Sequence, residues 1–181
     1  MSIGRREVLV GASSAALISA YPAAASANTR RRAGGREDAL AMVLITQLIN
    51  EWAHEVDANY GRNMAEADLL TADCRCKLEG QWISGLDAIA KFYQARFHDI
   101  KPGEPAPIVR QLLSNFRIML TSESEARVGL NLLLFFKVGT VPFSDYCDPV
   151  EVADVRVDCR RGADGNWRIS MLDSDRIFRR D

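Results

Sequence analysis

The sequence predicts an α+β fold in which a curved antiparallel sheet wraps, as a cone, around helices from the N-terminal half of the domain. A long amphipathic helix ends in Trp52-Ala-His-Glu-Val-Asp57, a second helix begins near Ser84, and long strands close the chain. Helices that come first and a strand meander that comes last are typical of a sheet curved around a helix. A cone is open at one end, so we expect a ligand-sized cavity inside it.

An export signal is expected before this domain, over residues 1–27. Arg5 and Arg6 precede a long uncharged stretch that ends in Ala25-Ser26-Ala27. A charged start, an apolar middle and an Ala-x-Ala end are the parts of a secretory signal, and the adjacent arginines indicate the twin-arginine type. A transmembrane anchor is less favoured, because the middle is rich in Ala, Gly and Ser and contains Pro22.

Cleavage after Ala27 would leave a disordered leader at 28–37 and a single domain at 38–181, located in the periplasm or secreted. The chain has a formal net charge of −1, and this near-neutral balance gives no electrostatic reason to expect nucleic acid as a partner. No membrane association is expected once the signal is removed.

Two helices are predicted in the first half of the domain. Apolar residues recur every three or four positions over 38–59, which predicts one buried stripe on a long helix, formed by Met42, Ile45, Ile49, Trp52 and Val56. A short helix is expected at 64–70. Ser84 and Asp87 have the spacing of a capping box, and they predict the start of the second main helix.

Strands are predicted at 74–78 and, after a proline-containing loop, at 108–121, 127–139, 150–161 and 166–178. Asp164-Gly165 between the last two is a strong hairpin signal. The four cysteines permit two disulfides in an oxidising compartment, but free and mostly buried thiols are the favoured state. With only two histidines and no paired ligand spacing, neither a metal nor a cofactor is expected.

Several short motifs occur in an order that resembles the SnoaL-like branch of the nuclear-transport-factor-2-like superfamily. They are the segment from Trp52 to Asp57, Leu70-Thr-Ala-Asp73, Gly85-x-Asp87-Ala-Ile89, Ser114-Asn115-Phe-Arg-Ile118 and Asp164-Gly-Asn-Trp-Arg-Ile169. The resemblance covers most of residues 38–178 and implies a cone-shaped α+β barrel. It also implies a range of roles, from polyketide cyclases, dehydratases and ketosteroid-isomerase-like enzymes to the structural small subunits of ring-hydroxylating dioxygenases.

The family's lyases imply a base at one position of this chain. In those members a histidine four residues before the Asn of the Ser-Asn pair removes a proton, and the Asp at the end of the first helix orients it. Asp57 is present here, but the histidine position is Gln111, which cannot act as a base. His54 lies one turn before Asp57 and could pair with it, or both could lie on a solvated face.

Other candidate ligand contacts are Trp52, Trp82, Tyr93, Asn115 and Asp154. Gln111 and Asn115 are four residues apart on one predicted strand, so we expect both amides on the same face. Asp154 interrupts an apolar run, where an inward carboxylate would have a raised pKa; an outward position is the favoured alternative. Asp173 and Asp175 are expected at the cavity rim.

Together these patterns predict an exported protein that binds an apolar small molecule and acts as a lyase or isomerase through a carboxylate, with Asp57 as the first catalytic candidate and His54 as the second. The alternative is a non-catalytic ligand-binding protein or assembly subunit. The segment Leu132-Leu-Leu-Phe-Phe136 is apolar on both faces of its strand, which predicts a homodimer or a larger homo-oligomer.

Overall fold

A computed structural model of the 181-residue chain describes residues 35–96, 107–139, 142 and 147–179. The predicted signal at 1–27 and the leader residues 28–34 lie outside the described residues. The described part contains two helices and six strands, and the predicted α+β class is confirmed. In chain order they are α1 (Arg36–Asn59), β1 (Leu70–Leu78), β2 (Gln81–Ser84), α2 (Leu86–Arg96), β3 (Pro107–Leu120), β4 (Glu125–Val138), β5 (Glu151–Arg161) and β6 (Trp167–Arg179).

The strands form one curved, unclosed sheet in the order β2-β1-β6-β5-β4-β3. Strands β3 to β6 are consecutive antiparallel neighbours, as the predicted meander requires. The sheet is not antiparallel throughout, because β1 joins β6 in parallel. This single parallel pair brings the first strand of the chain beside the last one, and it leaves β2 and β3 as the two edges of the sheet in the described part of the chain.

Helix α1 packs on the concave side of the sheet, against β3 and β6. Its buried stripe contains Ile45, Ile49, Trp52 and Val56, as the periodicity predicts. Met42 is the exception, since its side chain is exposed near the start of the helix. The core therefore lies between the concave face of the sheet and the second half of α1, and α2 covers β1 and β2.

Alternation along the strands produces the opposite wall of this core. In β4 the buried residues are Ala126, Val128, Leu130 and Leu132, while their neighbours point outward. In β5 the same pattern buries Ala153, Val155, Val157 and Cys159. Side chains on alternate positions of a strand point to opposite faces, so one set fills the cone and the other set lies on its outer surface.

Three local predictions are wrong. Residues 64–67 form turns and not a short helix, and β1 begins at Leu70, four residues earlier than expected. Ser84 does not cap α2: it is the last residue of β2, where it pairs with Arg75. Strand β2 itself was not predicted, because four residues with mostly exposed side chains carry no apolar period.

All four cysteines are free thiols; Cys74, Cys76 and Cys159 are buried, and Cys147 is partly exposed. The Sγ atoms of Cys74 and Cys76 lie 3.8 Å apart, because alternate residues of β1 share a face. Within the described ranges, the helices are too short or too polar to span a membrane.

Candidate functional site

A cavity of about 880 Å³ lies inside the cone, between α1, α2 and the concave face of the sheet. About half of its lining residues are apolar: Trp52, Val56, Leu78, Tyr93, Val109, Leu132, Leu134, Phe136, Val150, Val155 and Leu172. Gln111 and Ser174 are its uncharged polar lining residues among those that the structure describes, apart from the Tyr93 hydroxyl. This size and lining are typical of a site for a small apolar ligand.

Charged residues lie where strands end or begin on one side of the sheet, and they mark the mouth of the cavity. Glu151 starts β5 opposite Arg179, at the end of β6. Three ion pairs cross this region: Arg176 with Glu151 at 2.8 Å, Lys77 with Asp175 at 2.8 Å, and Arg96 with Glu79 at 3.0 Å. Of these residues, the sequence analysis placed Asp175 at the rim and missed the others. Some of them could have been suspected, because charged residues occur at the ends of the predicted β5–β6 hairpin.

Trp52 and Tyr93 line the cavity, as predicted, and both side chains are almost fully buried. Burial raises the pKa of Tyr93 well above its ordinary value, so the phenol stays neutral at any physiological pH. The Trp52 and Tyr93 side chains thus form an aromatic part of the cavity wall, one from α1 and one from α2.

Gln111 also lines the cavity, from β3. Its backbone N–H lies at the free edge of the sheet and donates to Asp57 Oδ2 at 2.9 Å. Two further hydrogen bonds fix this junction of α1 and β3: Arg110 Nη1 donates to the Asp57 backbone oxygen at 3.1 Å, and the Tyr60 hydroxyl donates to the Pro107 oxygen at 2.7 Å. Asp57 is thus held against the backbone of β3 and is absent from the described lining of the cavity.

The Asp57 carboxyl is half-buried. Burial raises its pKa above the ordinary value, while the Gln111 N–H, Arg110 and His54 act in the opposite direction. His54 is exposed and is not among the described residues that line the cavity. His54 lies on the solvent side of α1, which is the solvated-face alternative, and its catalytic role stays a prediction.

Asn115 and Asp154 lie on the outer face of the sheet. Asn115 Nδ2 donates to Asn131 Oδ1 at 2.7 Å, and Asn131 Nδ2 donates to Asp154 Oδ1 at 2.6 Å. The prediction that Gln111 and Asn115 share a face is wrong, because β3 contains a bulge between Ser114 and Arg117. Asn115 adopts a left-handed conformation there, with φ of +57°, and the inward set changes from Val109 and Gln111 to Phe116 and Ile118.

Trp82 was predicted to contact ligand, but it lies outside the cavity on the edge strand β2. Its side chain is 45% exposed, and the Arg75 guanidinium lies 4.9 Å from its ring centroid. Asp173, expected at the rim, is instead buried between Lys77 and Arg156. Across the described residues there is no cluster of three His, Cys, Asp or Glu side chains that could hold a metal ion.

A family model described as a SnoaL-like domain matches residues 37–173. Among solved structures, a putative scytalone dehydratase from Novosphingobium aromaticivorans is similar at 17% identity, with a TM-score of 0.60 and coverage of 80% of this chain and 89% of that one. A hexachlorocyclohexane dehydrochlorinase (LinA) type 2 is similar at 15% identity, with a TM-score of 0.60 and coverage of 78% and 88%.

A protein from Catenulispora acidiphila, solved in complex with S-DNPA, is similar at 18% identity, with a TM-score of 0.57 and coverage of 76% of this chain and 94% of that one. No curated protein is similar enough in sequence to match this chain. At these identities the structural likeness establishes the shared fold.

Proposed function

The chain belongs to the SnoaL-like domain family, and from that premise we propose that it binds an apolar small molecule inside the cone, with a polar group of the ligand at Gln111. The observation that carries this proposal is the cavity of about 880 Å³, whose described lining combines apolar side chains with Gln111, Ser174 and the charged residues at its mouth. Cavities of several hundred Å³ with few polar groups suit ligands of drug size.

A cavity-filling substitution tests the proposal. Leu134 lines the cavity, and its neighbour Leu133 points to the outer face of the same strand. Leu134→Trp should abolish binding of 2-naphthol, measured by isothermal calorimetry, while Leu133→Trp should leave it unchanged. Undiminished binding to a folded Leu134→Trp protein would place the ligand elsewhere and reject the proposal.

Catalysis by proton transfer from Asp57 is the second candidate function. It is supported by the raised pKa of Asp57, since a desolvated carboxyl is suited to acid or base chemistry. Two proteins of the same fold are a putative dehydratase and a dehydrochlorinase. Against it, Asp57 Oδ2 already accepts the Gln111 N–H, and Gln111 occupies the position where lyases of the family have a histidine. The geometry therefore favours ligand binding over proton transfer.

A substrate screen separates the two candidates. Small ketones, enones and hydroxy-acids are offered to the wild-type chain and to Asp57→Asn, which keeps the shape of the side chain and removes its basicity. Turnover that disappears in the variant, while binding persists, supports the lyase or isomerase hypothesis. Turnover that survives removes Asp57 from the mechanism, and a lack of turnover in both favours binding or a subunit role.

The proposal includes export by a twin-arginine-type signal, supported by Arg5, Arg6 and the Ala25-Ser26-Ala27 end of the apolar stretch. Replacing both arginines with lysine keeps the charge and removes the feature that the receptor reads. The variant should stay in the cytoplasm, which cell fractionation measures. A normally processed variant outside the cytoplasm would reject the twin-arginine assignment.

We also propose that the protein forms a homodimer or larger homo-oligomer through an outer apolar patch, defined as Leu112, Leu133, Phe135, Val152 and Phe178. Strand register brings these side chains next to one another: Leu112 pairs with Leu133, Leu133 with Val152, and Val152 with Phe178. Leu112 and Phe178 are largely exposed in the single chain. An exposed contiguous apolar patch of this kind favours association.

A further inference from the structure

Two buried oxygen atoms at the junction of α1 and β3 have no hydrogen-bond partner within the described residues: Asp57 Oδ1 and Gln111 Oε1. They belong to residues that are already joined, since the Gln111 backbone N–H donates to Asp57 Oδ2 at 2.9 Å. A buried acceptor without a donor costs free energy, so each of these atoms calls for an explanation.

The cations near Asp57 do not supply the missing donor. Arg110 on β3 directs Nη1 to the backbone oxygens of Asp57 and Val109, at 3.1 and 2.6 Å. His54 lies one turn earlier on α1 and is exposed. Both lower the pKa of Asp57 through space, against the larger effect of burial. Glu55, the buried acid beside it, accepts hydrogen bonds from Asn59 and Asn63.

A half-turn of the Gln111 side-chain amide about its last rotatable bond would exchange the positions of its oxygen and its NH₂ group, and so offer a donor where the structure has an unpartnered acceptor. Its oxygen and its NH₂ group have nearly the same size, so the exchange needs no additional space. The NH₂ group would then take the buried position of Oε1, on the residue whose backbone N–H already donates to Asp57 Oδ2. The amide oxygen would take the other position on a residue that lines the cavity.

We propose that the Asp57 carboxylate binds the Gln111 side-chain NH₂ group and thereby turns the Gln111 amide oxygen into the cavity, so that the site selects ligands carrying a hydroxyl, phenol or N–H donor. Asp57 is a positioning residue in this scheme, because it acts on the ligand through Gln111. The inference rests on the proposed binding function and adds to it the polarity of the ligand group.

Matched aromatic probes test this selectivity. Naphthalene, 2-naphthol, 2-methoxynaphthalene and 2-acetylnaphthalene share one apolar body, and only 2-naphthol carries a donor. The wild-type full-length chain should bind 2-naphthol at least roughly ten-fold more tightly than 2-methoxynaphthalene, as expected when an acceptor in the site would otherwise stay unpaired. Fluorescence titration at neutral pH gives the four dissociation constants.

Asp57→Asn should change the preference of the site for 2-naphthol over 2-acetylnaphthalene. Loss of a merely structural contact would not change this ratio. The amide oxygen of the new side chain can still accept the Gln111 N–H, and its NH₂ group can donate to Gln111 Oε1, so that the Gln111 NH₂ group faces the cavity. Binding of 2-acetylnaphthalene relative to 2-naphthol should therefore rise at least roughly ten-fold. Gln111→Met should remove the preference, and Asp154→Asn on the outer face should keep the wild-type order.

The outcomes separate this inference from the proposed function. Probes that bind the wild-type chain with no preference for 2-naphthol, or an unchanged ratio in folded Asp57→Asn, overturn the inference and leave the binding function intact. Failure of the wild-type chain to bind any of the four probes overturns both. Circular dichroism spectra of each variant establish that it is folded.

Discussion

Gly61 sets the position of Tyr93 in the cavity wall. It follows α1 with φ of +69°, and a Cβ atom built on it would lie 2.6 Å from Tyr93 Cγ. Only a residue without a side chain allows the ring to pack so closely against the end of the helix. The absence of a side chain at Gly61 thus allows Tyr93 to take its place in the cavity wall.

Gly61→Ala is expected to destabilise the fold more than Gly80→Ala. Both glycines have positive φ, which costs an L-residue about 1–2 kcal/mol. A Cβ atom added at Gly80 would meet no other atom within 4 Å, so that variant has only this backbone cost, whereas the methyl group added at Gly61 must also displace the Tyr93 ring. Urea denaturation of the two variants measures the difference, and equal losses would show that the ring moves freely.

Asp57 and Gln111 show how far reasoning from single residues reaches. The resemblance to the SnoaL-like family made both of them site candidates. Nothing in the residue types indicated that the carboxylate would take the backbone N–H of an edge strand, because that contact depends on how α1 crosses β3. The outward position of His54, in contrast, is the solvated-face alternative that the sequence indicated.

At the level of elements, the bulge in β3 controls which side chains enter the cone. Asn115 occupies a left-handed conformation that Asn and Gly tolerate and β-branched residues do not. Asn115→Gly should lose mainly the hydrogen bond to Asn131, while Asn115→Val should be less stable than Asn115→Gly by about 1–2 kcal/mol. Chemical denaturation compares them, and equal stabilities would mean that the bulge relaxes in the Val variant.

A second element-level contact joins the β5–β6 hairpin to the segment before β1. Arg168 binds Asp68 through Nε at 2.6 Å and Nη2 at 2.7 Å, and Asp164 through Nη2 at 2.6 Å. The Arg168 guanidinium holds the pKa values of both carboxyls below their ordinary value of 3.8. A lowered folded-state pKa contributes stability that is present above the unfolded value and is lost as the pH falls through the folded one.

Arg168→Gln should therefore reduce stability most above about pH 4, and its difference from the wild type should shrink as the pH falls below that value. Arg161→Gln is the matched control, because Arg161 donates to the Gly165 carbonyl oxygen, which does not titrate in this range. Thermal unfolding between roughly pH 2 and pH 7 follows both variants. A difference that grows towards low pH would contradict the assignment.

The elements themselves were largely predictable, because apolar periodicity reports burial on one face. Helix α1 and strands β3 to β6 begin and end within two residues of their expected limits. The bulge at Asn115 was not predictable. One extra residue hardly changes the number of apolar residues in β3, but it reverses which face of the sheet the following side chains point to. The parallel pairing of β1 with β6 depends on contacts between the two ends of the domain, which no local pattern encodes.

At the scale of the whole molecule, the outer apolar patch leads to a prediction about assembly. Leu112→Glu should shift the protein from a dimer or larger oligomer to a monomer, because it places a charge in a contact that excludes water. Leu40→Glu on α1 is the control: Leu40 is 57% exposed and Leu112 is 56% exposed, but Leu40 lies outside the patch. Sedimentation velocity at micromolar concentration measures the result, and a monomeric wild type would exclude the proposed interface.

Three cysteines are buried in the core, so their exposure to oxidants depends on whether the chain folds before or after the proposed export. Cys74, Cys76 and Cys159 are at most 2% exposed. The hydrogen bond with Cys74 and burial raise the pKa of the Cys76 thiol, and burial raises the pKa of Cys159, so Cys76 and Cys159 stay protonated. Only a thiolate attacks a disulfide or an oxidant. If the chain crosses the membrane already folded, as we propose from the arginine pair, burial would keep these three cysteines from the oxidants of the new compartment. The same chain delivered unfolded would expose every sulfur to those oxidants. Burial in the core therefore protects the thiols during export only when the chain folds first.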